Sequence, residues 1–420
     1  MSKEKELSEN SAYIIDAVRT PRSTGKPGKG SLCNIHPQHL LGTTLSALRD
    51  RNPLNTADVD DVIAGCGSQI ARQGMDIARM ATLDAGWDSD APGVTIDRFC
   101  GSGLSAVSLA AMGIMSGQQD LVVGGGVEKM SDSPLMPMPL LTDSNNAHLR
   151  ELHPTAHQGV CADLIATLND VTREQADALA VESQRRAALA IENGFFKSVV
   201  PVYDYEGNLV IDQDNYNRPG TSMESLSALS PAFAEFYDRP LDDDQVTCRE
   251  LVEKSWPDLT LNHIHHAGNS SGIVDGAAAV LLASEEYANN HQLKKRARIV
   301  SMATGTCDPR IMLDAPADAA RRCLAKANMT VSDIDLWEIN EAFAVVPLQF
   351  MREMNLNPEI VNVNGGAMAL GHPIGATGAM LVGTMLDELE RRNLSTGLIT
   401  LCAAGGMAPA MIIERVDSAA

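Results

Sequence analysis

Along the first third of the chain, apolar runs of strand length alternate with longer stretches of small and aliphatic residues. "AYIIDAV", "DVIAGC", "GVTIDRFC" and "LVVGGGV" read as strands, whereas "HLLGTTLSALRDR" and "GLSAVSLAAMGIMSG" read as helices. Apolar strands separated by helices predict a parallel sheet covered on both faces, an α/β fold. The same grammar returns near the other end in "RARIVSMATG", "LWEINEAF", "IVNVNGG" and "GLITLCAAGGMAPAMII". "TADVDDVIAG" (56–65) parallels "TVSDIDLWEIN" (330–340), each an acidic cap leading into a strand. "DRFCGSGLSAVSLAAMG" likewise parallels "GGAMALGHPIGATGAMLVG", each a glycine turn opening a small-residue helix. Two similar α/β halves follow, roughly 1–126 and 296–420.

Between them, from about Val127 to Ala267, the chain is richer in Met, Pro, Asp and Asn and carries the long helical pattern "TREQADALAVESQRRAALAIEN". "SGIVDGAAAVLLAS" (271–284) resumes the earlier pattern and is assigned back to the first half. The expected organisation is 1–126 plus 271–295 as one half, 127–270 as an inserted loop domain, and 296–420 as the other half. Within the insertion, residues 235–260 are acidic and contain proline, which reads as a solvated surface excursion.

Composition narrows the partners. Of 420 residues, 44% are apolar and 21% charged, enough for a large core, and the formal charge of −21 argues against nucleic acid or an anionic membrane as partner. No apolar run reaches the length of a membrane span. Eight cysteines lack CxxC pairs or regular spacing, which fits a reducing compartment and indicates neither a disulfide framework nor a zinc site. "MSKEKELSEN" has no apolar core and reads as a loose tail rather than a signal, and "DSAA" carries no obvious address, so a cytoplasmic location is expected.

Candidate chemistry gathers beside glycines. Cys100, in "DRFCGSGLSA", follows a strand and heads a small-residue helix, where unpaired amides are expected to lower a thiol's pKa. His372, in "ALGHPIGATGAM", occupies the related turn of the other half and is a partner for such a nucleophile if the halves pack about a pseudo-twofold axis. Asn340, in "EINEAFA", and Cys402, in "TLCAAGGMAP", each follow an apolar strand, so all four candidates are expected at strand ends, where ligands collect in α/β sheets. "LVVGGGVE" (121–128) lacks the G-x-G-x-x-G spacing of a nucleotide loop and reads as a tight turn. "NHIHHAG" (262–268) lacks an accompanying carboxylate or cysteine cluster and reads as a polar loop rather than a metal site.

Taken in order, "CGSG", "AGNSSGIVDGAAAV", "INEAFA", "GGAMALGHPIGATGA" and "CAAGGM" resemble the motifs of the thiolases, and the likeness runs from about Tyr13 to Ile413. The resemblance implies two similar βαβαβαββ halves packed as a five-layer αβαβα core, with a loop domain inserted in the first. It implies that Cys100 carries the acyl group as a thioester, His372 activates it and Cys402 moves the proton at the α-carbon. Asn340 would hold a water beside the thioester enolate, and Cys100, Ala404 and His372 would contribute oxyanion contacts. Coenzyme A is implied as a substrate, with no permanent cofactor and no metal. Its contacts would come from His157, Arg218 (on the adenine), Ser225, Ser271 and Phe343. Acyl-CoA and CoA are the implied partners of a homodimer or homotetramer.

This chain departs from that pattern in three places. Ala404 stands where a glycine is common, the stretch between Met130 and His157 looks short, and 235–260 looks inserted; beside His157, Gln158 stands where Met is common. The implied reaction is reversible thiolysis of 3-ketoacyl-CoA in acyl-CoA degradation. The alternatives are an acetoacetyl-CoA-forming biosynthetic thiolase, a β-ketoacyl synthase, or a non-catalytic acyl-CoA-binding relative. A synthase would carry a second histidine where "NEAF" stands and would lack Cys402; a binding relative would lack one or more of the four candidates.

Overall fold

The computed structural model describes residues 10–135, 140–242 and 244–416; the two expected tails lie almost wholly outside them. One continuous sheet of ten strands carries the fold. In the first half its order is Val94–Ile96, Asp61–Gly65, Leu121–Lys129, Val274–Ser284 and Ala12–Arg19, with Ser23–Thr24 pairing beside 274–284. In the second half it is Leu336–Ile339, Thr396–Thr400, Met407–Arg415 and Ala297–Thr306. The halves join where Tyr13 and Ile14 pair with Arg298 and Ala297.

The sheet is mixed rather than wholly parallel. Strands separated by a helix run parallel, as 61–65 does with its two neighbours and 336–339 does with 396–400. The 274–284 strand returns from the insertion antiparallel to both 121–129 and 12–19, and 400–407 closes a hairpin. "LVVGGGVE" is not a turn; it lies within the continuous, fully buried strand 121–129. "IVNVNGG" is not a strand; only Val361 makes a bridge, to Trp337.

Three apolar clusters define five layers. Helices Pro37–Arg51 and Ile77–Asp84 cover the outer face of the first half through Leu40, Leu45 and Ala81. Helices Pro316–Ala327 and Val345–Met354 cover the outer face of the second through Ala320, Leu324 and Phe350. Between the half-sheets lie Ser102–Met115 and Thr377–Arg392, packed on each other and on both sheets, with Val107, Ala110, Met380 and Leu386 fully out of water. Such central helices have no polar face to spare, which is why both sequences are so poor in charge near their starts.

Close approach of the central helices requires missing side chains. A Cβ on Gly103 would lie 2.7 Å from the Gly375 carbonyl oxygen, and one on Gly378 would lie 2.2 Å from the Leu104 nitrogen. The Gly375 oxygen would also meet a Cβ on Gly126 at 2.0 Å and one on Gly65 at 2.7 Å.

In the insertion, the helix Arg173–Glu192 starts at a Thr172/Gln175 capping box. The acidic 235–260 segment is not a free surface excursion. Tyr237, Leu241, Cys248, Leu251 and Val252 are buried against Val160, Leu164 and Ile165. Asp238 pairs with Arg249 within the segment, and Asp244 pairs with the buried Arg150, which also holds Asp143. The 262–268 segment is a loop as expected, but His265 and His266 are buried and His263 half-buried. His263 and His265 bond Asp163 at 2.7 Å and His266 bonds Asp177 at 2.8 Å. No group of three or more His, Cys, Asp or Glu that could hold a metal occurs among the described residues.

Gly126→Ala is expected to lower unfolding free energy by about 2–3 kcal/mol, the scale of overpacking against backbone. Gly220, whose added Cβ would meet nothing within 4 Å, should tolerate Ala within about 0.5 kcal/mol. Urea denaturation of both variants checks the contrast.

Candidate active site

Cys100 sits one residue after a strained turn. Phe99 adopts a left-handed φ of +49°, held because its N–H donates to Asp97 Oδ1 at 2.6 Å and its carbonyl accepts from Ser102 Oγ at 2.6 Å. The turn leaves Cys100 partly exposed at the head of the 102–115 helix. A Cβ on Gly101 would lie 2.9 Å from Pro409 Cδ, so the second half's hairpin reaches the nucleophile turn.

Cys402 follows the 396–400 strand and is buried. The Asn340 N–H donates to the Thr400 carbonyl at 3.1 Å, placing both residues past neighbouring parallel strand ends. Burial first, then the neighbouring Cys100 and Cys307, push the Cys402 thiol well above its ordinary range. After it, Ala403 pairs with Met407 and the left-handed Gly405 and Gly406 turn the hairpin. Ala404 is partly exposed at this bend. The Asn340 side chain is buried with neither Oδ1 nor Nδ2 partnered, as expected of a group that orders water or substrate.

His372 is not at a strand end. It lies between the short helix Ala367–Leu370 and the central helix Thr377–Arg392. Its Nδ1 is 2.6 Å from Thr377 Oγ1, whose single hydroxyl proton is donated to the Pro373 carbonyl at 2.9 Å. Thr377 must therefore accept from Nδ1–H, and Nε2 keeps its lone pair. Nε2 is buried and unpartnered. Burial, followed by the charge of Arg22, holds the imidazole down to about 3, so it is neutral at physiological pH. Arg22, itself buried, donates to the Gly371 carbonyl at 2.9 Å.

The expected lowering of the Cys100 pKa by the helix terminus is not what the structure gives. Burial, then Glu128 and Asp97, push the thiol up to about 12. Desolvation and two carboxylates outweigh the helix amides. The resting pair is thiol and neutral imidazole, and the thiolate forms only as the proton moves.

The remaining sequence candidates fall into two groups. Arg218 and Ser225 line a cavity of about 370 Å³ with Tyr216, Thr221, Gly268 and Met368. The Arg218 guanidinium lies over Tyr216, its carbon 5.8 Å from the ring centre. Ser225 serves a capping box with Ser222, so its hydroxyl is already engaged. Ser271 is not among the residues lining this cavity; its N–H donates to the Ala342 carbonyl at 2.9 Å, beyond the 336–339 strand. His157 caps the helix Gln158–Leu168 and packs on Phe233 and Phe236 at 5.9 and 4.6 Å between ring centres. Phe343 meets Phe233 edge-on at 5.9 Å, completing an aromatic wall. Burial, then Arg239, hold His157 down to about 4.

Four contributors escaped the sequence reading: Thr377, Arg22, Glu128 and Phe233. Thr377 lies within the quoted histidine motif and could have been suspected from its hydroxyl; the others act across distances of chain that no local pattern reports.

A partly exposed thiol, a neutral imidazole, a buried second thiol and an unpartnered amide, set between two doubly covered half-sheets, form a candidate site on a thiolase-like fold. The family profiles described as "Thiolase, N-terminal domain" and "Thiolase, C-terminal domain" match residues 12–236 and 293–415. The chain is 40% identical to the steroid 3-ketoacyl-CoA thiolase FadA6 of Mycobacterium tuberculosis, covering 96% of this chain and 94% of that protein. It is 37% identical to the beta-ketoadipyl-CoA thiolase of Pseudomonas knackmussii and 38% to the 3-ketoacyl-CoA thiolase of Escherichia coli O139:H28, over 96% of this chain and 99% of each. The crystal structure of the Bacillus anthracis acetyl-CoA acetyltransferase superposes with a TM-score of 0.81 at 34% identity, covering 97% of this chain and 99% of that one. The chain belongs to the thiolase family.

Thr377→Val, which keeps the shape but removes the acceptor for Nδ1–H, is expected to lower kcat about a hundredfold, whereas Thr377→Ser should stay within about threefold. Steady-state kinetics with unchanged melting temperature would confirm a tautomer effect; equal activity of the valine variant would refute it.

Proposed function

We propose that this chain is a degradative thiolase that cleaves 3-ketoacyl-CoA with CoA, reversibly, giving acetyl-CoA and a shortened acyl-CoA. The observation that carries the reading is the His372 Nε2 lone pair, buried without a partner, in a site that also holds two protonated thiols. Nε2 takes the Cys100 proton as the sulfur attacks the ketone carbon. The bond between the α-carbon and that carbon breaks, the acyl group stays on Cys100, and Cys402 protonates the departing enolate of acetyl-CoA. An incoming CoA thiol returns its proton to Cys402 and attacks the thioester; Cys100 leaves and regains its proton from His372. Asn340 and the Ala404 amide are placed in this reading beside the developing oxyanions.

CoA itself is read into the 370 Å³ cavity, with Arg218 supplying positive charge in an otherwise acidic chain and Tyr216 a face for the base. The halves are read as 1–126 plus 271–295 and 296–420, and 127–270 as the CoA-binding insertion. A cytoplasmic setting is supported by eight unpaired cysteines; no described helix is long and apolar enough to cross a membrane.

Self-association belongs to the same reading. Among the described residues the 94–96 strand has a neighbour on one side only, and Met75, Val94 and Phe99 near this edge are 87%, 42% and 38% exposed. An open backbone edge beside apolar side chains pairs naturally with a second copy about a twofold axis.

With a 3-ketoacyl-CoA substrate, Cys100→Ser should form no acyl-enzyme in intact-mass spectra. Cys402→Ala should acylate from acyl-CoA yet lose α-proton exchange into deuterated water. No turnover of any 3-ketoacyl-CoA by the intact protein would overturn the reading. Met75→Glu combined with Val94→Glu should reduce the solution mass by light scattering to that of one chain; an unchanged assembly would move the interface elsewhere.

A further inference from the structure

Glu128, the penultimate residue of the 121–129 strand, is buried in the layer between the two halves. Its Oε2 accepts two N–H groups at 2.8 Å each, from Gly67 beyond the neighbouring strand and from Gly375 in the turn that bears His372. Its Oε1 is buried and makes no hydrogen bond; burial pushes the carboxyl above its ordinary range, and the Gly67, Ser68 and Gly375 donors oppose that push. Around this carboxylate the backbone is stripped: a Cβ on Gly375 would lie 2.6 Å from both the Gly65 and Val127 oxygens, and one on Gly67 would lie 2.8 Å from Ile374 Cγ2. The Gly65, Gly67 and Gly126 backbone therefore forms a notch, and the His372 turn is seated in it.

We propose that Glu128 is a positioning residue for acyl transfer, fixing the His372 turn against the Cys100-bearing half through Oε2 and acting through its carboxylate on the proton transfer between Cys100 and His372. A neutral acceptor would satisfy two amides equally well, so hydrogen bonding alone does not call for a buried charge. The charge has a use at the moment of proton transfer, because a fixed carboxylate favours the imidazolium that forms on His372 and disfavours a free thiolate that no substrate has met. Other groups act on the thiols and the imidazole of the site. Asp97, on the nucleophile's own turn, adds to the upward push from Glu128. Cys402 comes from the second-half hairpin, and Arg22 stands behind His372 and opposes its protonation. Glu128 and Arg22 both reach across to the His372 loop, and Glu128 is the carboxylate of the two.

The proposal rests on the thiolytic reading of the site, but alkylation reports on Cys100 with no acyl-CoA present, so the two can fail separately. The test follows iodoacetamide modification of the Cys100 peptide across pH in the full-length protein. Glu128→Gln keeps an oxygen for the two amides and removes the charge. Its alkylation profile should move to lower pH, with modification near pH 7 faster by about threefold or more, while kcat falls about tenfold. Glu128→Asp keeps the charge and loses reach; its alkylation profile should stay within about 0.3 pH unit of the natural protein while kcat falls. A glutamine variant whose alkylation profile superimposes on that of the natural protein would overturn the proposal, as would an aspartate variant shifted downward. If Glu128→Gln does not fold, the aspartate arm decides alone.

Discussion

The Gly375 carbonyl lies where side chains on Gly65, Gly103 and Gly126 would otherwise stand, and Gly375 itself has no room for one. This backbone-to-backbone seat is the contact on which the site depends. It lets the two central helices start side by side between the half-sheets, so the turn ahead of each helix opens toward the same place. Cys100 stands ahead of one and His372 ahead of the other. Any Cβ in the seat would push the halves apart and shift Cys100 against His372, the residues proposed as nucleophile and base, for which small displacements slow proton transfer. Packing between layers and catalytic geometry are therefore one constraint.

Once the halves are seated, burial sets the protonation states. Desolvation raises both thiols and lowers the imidazole, which keeps every member of the site neutral at rest. Charge appears only when a substrate carbonyl is present to receive it. The fully buried arginine and glutamate at this junction, Arg22 and Glu128, each bond the backbone of the His372 loop, at Gly371 and Gly375. The loop is thus held on both sides of the histidine by groups of opposite charge.

Much of this was legible in the chain. Alternating apolar runs and the internal repeat gave the two halves, because strand and helix periods are local properties. Where the reading failed, long-range contacts had overridden the local signal. "LVVGGGVE" looks like a turn by composition, but its glycines serve a crowded strand pressed by Val107, Ala278 and Gly375. The acidic 235–260 segment looks solvated by charge count, but one side of it carries Tyr237, Leu251 and Val252 into the core. His372 looked like a strand-end residue by analogy with Cys100, yet a short helix precedes it.

By itself the sequence determined the family and named the candidates for the reacting groups, since Cys100, Asn340, His372 and Cys402 stand in motifs whose residue types and order are fixed along the chain. The tertiary structure decided what state those groups occupy. Which imidazole nitrogen bears the proton depends on Thr377 and Pro373, and the resting thiol depends on burial together with Glu128 and Asp97. These are properties of distance and dielectric, created only when residues far apart in the chain exclude water together.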